Sequence, residues 1–511
     1  YVSTPTCTPS RAGLLTGKSP WAHGMLGYGY TVNCDNYTTT FPSVLADLAG
    51  YETYSVGKNH FGWDKQGNYV AHGLQHLTVY DAMTKQPHQD EYMRYFDSLH
   101  PGVDPLSLTV CGNQALLYND WKSCAYGNDK EEEHPTRWTT RHAIQYLEGF
   151  DFFSSESNES GNKKNMFLKV SYHRPHSPYD PPQRLLEKRL NSEIPERILN
   201  DSSWDARFKN TTRMSENDWK GDPGEEAAKH TRAGYLASVE FVDEGIGELF
   251  DWLKRHELYD ETMILWTTDH GDMNGDHNLW RKGFAYESSS HVNLVAKLPS
   301  VWSTTKRPPT IQNALVETRD IAVTFYDSLG VLDQVMNRDP MVNGKSLLPL
   351  LQQEVNDQSP ESFRPWLDLE HNELYRHDIH WSAIVGFQRS DKEAKDDPPS
   401  LWKYIFHALD GSEQLFCLTS DPHETYDLSH EKEWQSVLEH WRSLMVQQFI
   451  DEKRGPGWVK NGALVAGRHS VLHGPHFPCS PSSTFKNPAH ADEEESCPEC
   501  LEETRATTAR V

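Results

Sequence analysis

The chain of 511 residues is 36% hydrophobic and holds 16 Trp and 22 Tyr, which excludes a disordered or low-complexity protein and suffices for one large α/β domain with a smaller partner. Its formal net charge of −25 sets the surface against nucleic-acid backbones and anionic membranes, and obliges any anion site to be locally basic. No apolar run has the length of a membrane span.

In chain order, "PSRAGLLTG" predicts a helix with Pro9 tolerated in its first turn. Pro42–Trp63 reads as helix, glycine stop and short strand, running into a loop that carries Lys58 and His60. Residues 65–135 show little periodicity and read as an irregular insertion on the substrate side. A helix is predicted over Thr136–Phe150, a polar loop over Ser154–Asn165, and a buried strand over Met166–Tyr172 leading into "HRPHSPYDPP". Tyr235, Val239, Val242, Ile246, Leu249 and Leu253 recur every three or four residues, which predicts a helix over His230–Arg255 with these on its buried stripe. The β-rich run Thr262–Thr268 then ends at "DHGD", and polar residues just past the carboxyl end of a parallel strand are where α/β folds place ligands.

From about Ser362 short β-like runs alternate with polar turns, followed by a helix at Glu431–Gln448. Beyond about Asp451 the sequence is rich in Gly, Pro and His and ends in an acidic tail. The expected fold class is α/β: a large, mostly parallel sheet sandwiched by helices, with a smaller C-terminal antiparallel α+β subdomain. The expected divisions are 1–360, 361–450 and an irregular 451–511.

The eight cysteines are scattered and do not read as a small disulfide scaffold. "CPEC" at Cys497–Cys500 suits a disulfide or free thiols better than zinc, because one pair cannot close a four-ligand site. Sequons at Asn36, Asn158, Asn200 and Asn210 permit N-glycosylation in an exported protein. Cys7, in "TPTCTPSRAGLLTGK", could be a disulfide half, a thiolate nucleophile, a metal ligand, core filler or a precursor of another group.

"CTPSR" followed by "GLLTG" resembles the signature of the type I, formylglycine-dependent sulfatases of the alkaline-phosphatase-like superfamily. "GKNHFG" at Gly57–Gly62, the Pro-His-x-Pro pattern of "SYHRPHSPYDPP", and the segment from "YLASVEFVDEG" through "TTDHGDMNGDHNLWRKG" resemble further family motifs in the expected order. "KYIFHALDGSEQLFCLTSDPHETYDL" resembles the family's C-terminal subdomain, so the likeness extends over most of residues 1–450.

The resemblance implies a sulfuric ester hydrolase in which a maturation enzyme oxidises Cys7 to formylglycine. The hydrated aldehyde is a geminal diol: one hydroxyl attacks sulfur, and the other expels sulfate by collapse to the aldehyde. By the same resemblance Asp269, His270 and the modified residue 7 hold a divalent metal, Ca²⁺, while Arg11 and Lys58 orient the diol. Lys282 with His176 neutralises sulfate charge and assists the leaving oxygen, and His60 is the base that releases sulfate. His173 and His277 could line the pocket or merely hold loops, and Glu370–His371 could approach it from the C-terminal side.

The family also carries two adjacent aspartates ahead of the cysteine as metal ligands. Only six residues precede Cys7, so the expectation is an N-terminally truncated sequence with a weakened metal site and one central strand missing. The expected partners are a sulfate ester, most readily a sulfated glycan, and the formylglycine-generating enzyme. The expected location is the secretory pathway, lysosomal or extracellular. Competing readings are a phosphate or phosphonate monoester hydrolase, and a catalytically silent glycan-binding relative.

Overall fold

The computed structural model describes residues 1–29, 37–62, 69–81, 90–110, 116–152, 165–199, 218–302, 311–352, 360–372, 380–389, 398–467 and 470–478. The four sequon asparagines, the "CPEC" pair and nearly all of the 154–165 loop lie outside them.

Helix α1 spans Cys7–Thr16 and stops at Gly17, whose left-handed φ of 70° suits a residue without Cβ. Helix α2, Phe41–Ala49, ends the same way at Gly50 and feeds strand β1, Tyr51–Gly57, as expected. Strand β2, His76–Val79, and helix α3, Glu91–Leu99, lie within the stretch expected to be irregular. Their polar and aromatic composition masks the periodicity, yet Tyr92 and Phe96, one turn apart, are fully buried.

Helix α4, Pro135–Gly149, precedes strand β3, Asn165–Ser171. Strands β2 and β3 both pair in parallel with β1, in the order β2-β1-β3. Val79, Gly57 and Ser171 stand in register, so Tyr80–Asp81, Lys58–Phe61 and Tyr172–His176 all leave the sheet at one carboxyl edge. Trp138, Ala143 and Leu147 of α4 pack with Val56, while Phe41, Val44 and Leu45 of α2 pack with Ala322, Val323 and Tyr326 in a second layer.

Helix α5 runs over Glu225–Arg255, one turn and more earlier than its apolar stripe predicts. Its buried face is also rotated. Val239 is exposed, and the inner line is Gly234, Ala237, Ser238, Phe241, Gly245 and Leu249. Small residues win that face because the neighbours come too close for larger ones: a Cβ on Gly234 would stand 1.8 Å from Ser123 Oγ.

Strand β4, Ile264–Thr267, pairs antiparallel with β5, Leu294–Lys297, in a separate two-stranded sheet. Among the described residues β3 pairs only with β1 and β4 only with β5. The open edges leave both apolar strands half-buried, where full burial is expected from sequence. Helix α6, Arg319–Ser328, belongs to the layer that covers α2.

Strands β6 (Trp366–His371), β7 (Trp381–Gln388), β8 (Ser400–His407) and β9 (Glu413–Cys417) form the expected antiparallel sheet, in the order β9-β8-β7-β6. Helix α7, Gln435–Asp451, covers one face through Trp441, Met445 and Phe449. Past 451 the described backbone is mostly turns, yet it packs: Arg454 and Trp458 are buried, and residues 472–474 bond back to Gly24 and Leu26. Cys124 is held in a disulfide, whereas Cys7 and Cys417 are free.

Candidate active site

Cys7 is the first residue of α1, where the helix presents unpaired amides and the positive end of its dipole. It is 1% exposed. Its Sγ stands 3.1 Å from His270 Nε2 and 3.8 Å from Lys58 Nζ, and His60 and His176 lie near enough to interact with its charge. Burial alone would raise its pKa. The charges of Lys58, Lys282 and His270 outweigh burial and hold it well below the usual thiol range.

Most partners follow the end of a strand, Lys282 excepted. Lys58 and His60 follow β1, and His60 sits at a left-handed φ of 59°. His176 lies beyond β3; its Nδ1 bonds to the carbonyl of Ser177 at 2.6 Å, leaving Nε2 to accept from Lys282 Nζ at 2.7 Å. Burial lowers the Lys282 pKa to about 8 against the raising effect of Cys7. Asp269 and His270 lie just beyond the carboxyl end of β4, but this strand pairs antiparallel with β5 and not in the parallel sheet expected from sequence.

Arg11 makes its hydrogen bonds to Asp269 and the Lys58 loop. Its guanidinium, within reach of the Cys7 charge, grips Asp269 Oδ2 at 2.9 Å from Nε and 2.8 Å from NH2, with NH1 donating to the Lys58 carbonyl at 2.7 Å. Burial would raise the Asp269 pKa, but Arg11 holds the carboxyl far below its ordinary range. Arg11 therefore ties helix α1 to Asp269 and to the Lys58 loop.

Cys7, Asp269 and His270 offer one donor atom each, all within 4.8 Å of one another. His270 Nδ1 bonds to the Gly271 carbonyl at 2.8 Å, so in the neutral ring the Nε2 lone pair faces Cys7. This is one face of a cation site. A hard divalent ion takes about six or more ligands, so the three residues fit it as part of a larger set.

Other residues took different places. His277 stacks on Tyr286 with ring centroids 4.8 Å apart. Glu370 pairs with Arg454 at 2.8 Å, and His371 Nε2 meets Thr6 Oγ1 at 2.9 Å, so this pair buttresses the chain before Cys7. His173 joins the pocket wall: its Nε2 lies 3.3 Å from Tyr118 OH, and Tyr118 stacks on His176. Sequence reasoning missed Tyr118 and Asp81. Asp81 stands just past the carboxyl end of β2, so the rule that found Asp269 would have found it had that strand been recognised.

Comparison with known proteins agrees with this geometry. The sulfatase family model matches residues 1–331, and the chain belongs to that family. An arylsulfatase of Clostridium perfringens is 29% identical over 478 residues, covering 91% of this chain and 89% of the relative. A choline-sulfatase of Rhizobium meliloti is 26% identical over 500 residues, covering 92% and 86%. An N-acetylglucosamine-6-O-sulfatase of Bacteroides thetaiotaomicron is 25% identical over 481 residues, covering 87% and 79%.

Among solved structures, one in complex with its substrate D-glucosamine-2-N,6-O-disulfate superposes with a TM-score of 0.62 at 21% identity, over 89% of this chain and 90% of that one. A phosphonate monoester hydrolase from Silicibacter pomeroyi gives 0.64 at 18% identity, over 92% and 91%, and shares the fold. The protein is accordingly a sulfatase, a sulfuric ester hydrolase, and its family implies a divalent metal and a cysteine-derived formylglycine.

Proposed function

We propose that the protein hydrolyses sulfate monoesters of a carbohydrate, with residue 7 as nucleophile. The observation that carries this reading is the convergence of Lys58, His60, His176, His270 and Lys282 around the position-7 side chain, in a chain whose net charge is −25. These groups form the locally basic pocket that a sulfate needs. The carbohydrate is supported by the glucosamine-type substrates named for a relative and for a fold neighbour, and by the polar wall that Tyr118 and His173 raise beside His176.

Hydrated formylglycine at residue 7 supplies a hydroxyl nucleophile, and a divalent cation held by Asp269, His270 and residue 7 supplies Lewis-acid polarisation of sulfate oxygens. Lys58 neutralises charge beside the nucleophile. His60, its pKa lowered by burial and by Lys58, is neutral at pH 7 and takes a proton from residue 7 at its unprotonated nitrogen. Lys282, poised near pH 8 and bonded to His176, delivers the proton that the departing alcohol oxygen requires. Arg11 fixes Asp269 relative to α1. The ion implied by resemblance is Ca²⁺; added Ca²⁺ is expected to raise the melting temperature of the wild type and not of Asp269→Ala.

The test pairs two measurements. Peptide mass spectrometry of active protein, made in cells with the maturation enzyme, should show formylglycine at residue 7. Parallel assays should show glucosamine 6-sulfate and 4-nitrophenyl sulfate cleaved in preference to phosphate and phosphonate esters. Active protein carrying only the thiol would overturn the mechanism. A preference for phosphonate esters would install the competing hydrolase, and sugar binding without turnover the silent relative. We further propose passage through the secretory pathway to a lysosomal or extracellular location, with glycans at the sequons; an unshifted mass after glycosidase treatment of the secreted protein would refute the glycans.

A further inference from the structure

We propose that Asp81 is a positioning residue of the sulfatase reaction, which holds the Lys58–His60 turn in the one conformation that aims both side chains at residue 7. The inference rests on the roles proposed above for Lys58 and His60.

The Asp81 carboxylate is buried, with the residue 1% exposed. Its Oδ1 accepts from the backbone amides of Asn59, at 2.7 Å, and His60, at 3.0 Å. Its Oδ2 accepts from Tyr69 OH at 2.5 Å. The turn needs such a clamp because His60 is a non-glycine residue at φ 59°, a conformation that L side chains resist. Two successive amides pointing at one carboxylate oxygen stabilise it against relaxing to negative φ, which would swing the imidazole away from residue 7.

Asp81 is itself held rigidly. Its own amide donates to Asp90 Oδ2 at 2.9 Å, and Asp90 caps α3 by accepting from the Met93 amide. From the opposite side Lys169 Nζ donates to Asn59 Oδ1 at 2.5 Å, and Arg11 holds the Lys58 carbonyl. Of these contacts only those of Asp81 reach the His60 backbone, so Asp81 is where the orientation of the base is set.

The experiment uses formylglycine-bearing full-length enzyme, 4-nitrophenyl sulfate and a melting temperature for each variant. Asp81→Ala is expected to lower kcat by about 100-fold, the cost of a misplacement near 1 Å, with KM within about threefold. Asp81→Asn keeps an oxygen for the two amides, and Tyr69 OH can accept from the new NH₂, so kcat is expected to stay within about threefold. Asp81→Glu keeps the charge but shifts the oxygens by a methylene and is expected to cost about tenfold in kcat at wild-type melting temperature. In a His60→Ala background the cost of Asp81→Ala should shrink by at least about fivefold, the coupling that distinguishes positioning from general structural support.

Asp81→Ala turnover within threefold of wild type, Asn and Ala variants that fail alike, or losses that simply multiply with His60→Ala would each overturn the inference. If Asp81→Ala does not fold, the Asn and Glu variants decide it, equal activity of Glu and wild type counting against it. If Lys58→Ala and His60→Ala themselves leave turnover whole, the proposed roles of the site fail. If they lower it and Asp81→Ala does not, only Asp81 loses its part.

Discussion

The parallel sheet and the C-terminal antiparallel sheet use comparably apolar strands, yet they are buried differently. Leu367, Leu369, Ala383, Val385 and Ile405 of β6, β7 and β8 pack into one core, while Ile384, Trp402 and Tyr404 pack into another beneath α7. In the parallel sheet β3 is only half-buried, as is β4 in its separate antiparallel pair, and the carboxyl ends of β1, β3 and β4 lead into the histidines and the aspartate of the site. Among the described residues, the deeper burial lies in the sheet that carries none of the site residues.

Mutations should separate the two regions, the largest effect coming first. Cys7→Ala removes the nucleophile and should abolish measurable sulfate ester hydrolysis while leaving the denaturation midpoint near wild type. Trp402→Ala empties a buried site and should cost about 3–5 kcal/mol in urea denaturation, with kcat per folded molecule unchanged. If kcat falls with it, the two sheets are coupled and the comparison fails.

Lys282→Ala should lower kcat by about 10²–10³-fold, the usual worth of one donor to developing charge. Because burial brings Lys282 down to about 8, its proton is lost as pH rises through that value, so activity should fall above about pH 8. In Lys282→Arg, whose group stays charged, that falling limb should move alkaline, which a pH–rate profile would show. The smallest effect is on the α5 packing face: Gly234→Ala pushes a methyl into Ser123 and should cost about 1–3 kcal/mol by calorimetry, without changing KM.

How much of this was legible in the sequence varied with the physics. The α2–β1–Lys58 unit could be read because a glycine stop and an apolar strand sit next to each other in the chain. Asp269, His270, Lys58, His176 and Lys282 converge as the motifs imply, because strand ends fix where their loops begin. The direction of Arg11 was not legible, since it depends on Asp269, 258 positions away. The face of α5 was misread because apolar periodicity favours large residues, whereas close packing selected Gly, Ala and Ser. Asp81 and β2 were missed because a four-residue strand carries too little pattern to stand out from its loop-rich setting.

The return of the last described segment to the first helices also sets a clock. Gly474 donates to the Gly24 carbonyl at 2.7 Å, and a side chain at Gly24 would collide with Phe477. His371 must arrive before Thr6, the residue ahead of Cys7, finds its partner. The surroundings of Cys7 are therefore complete only after His371, 364 positions further on, has been synthesised, roughly 20–70 s at ribosomal speed. Cys7 is therefore made well before the segments that enclose it, and in that interval its thiol is still open to chemistry from outside.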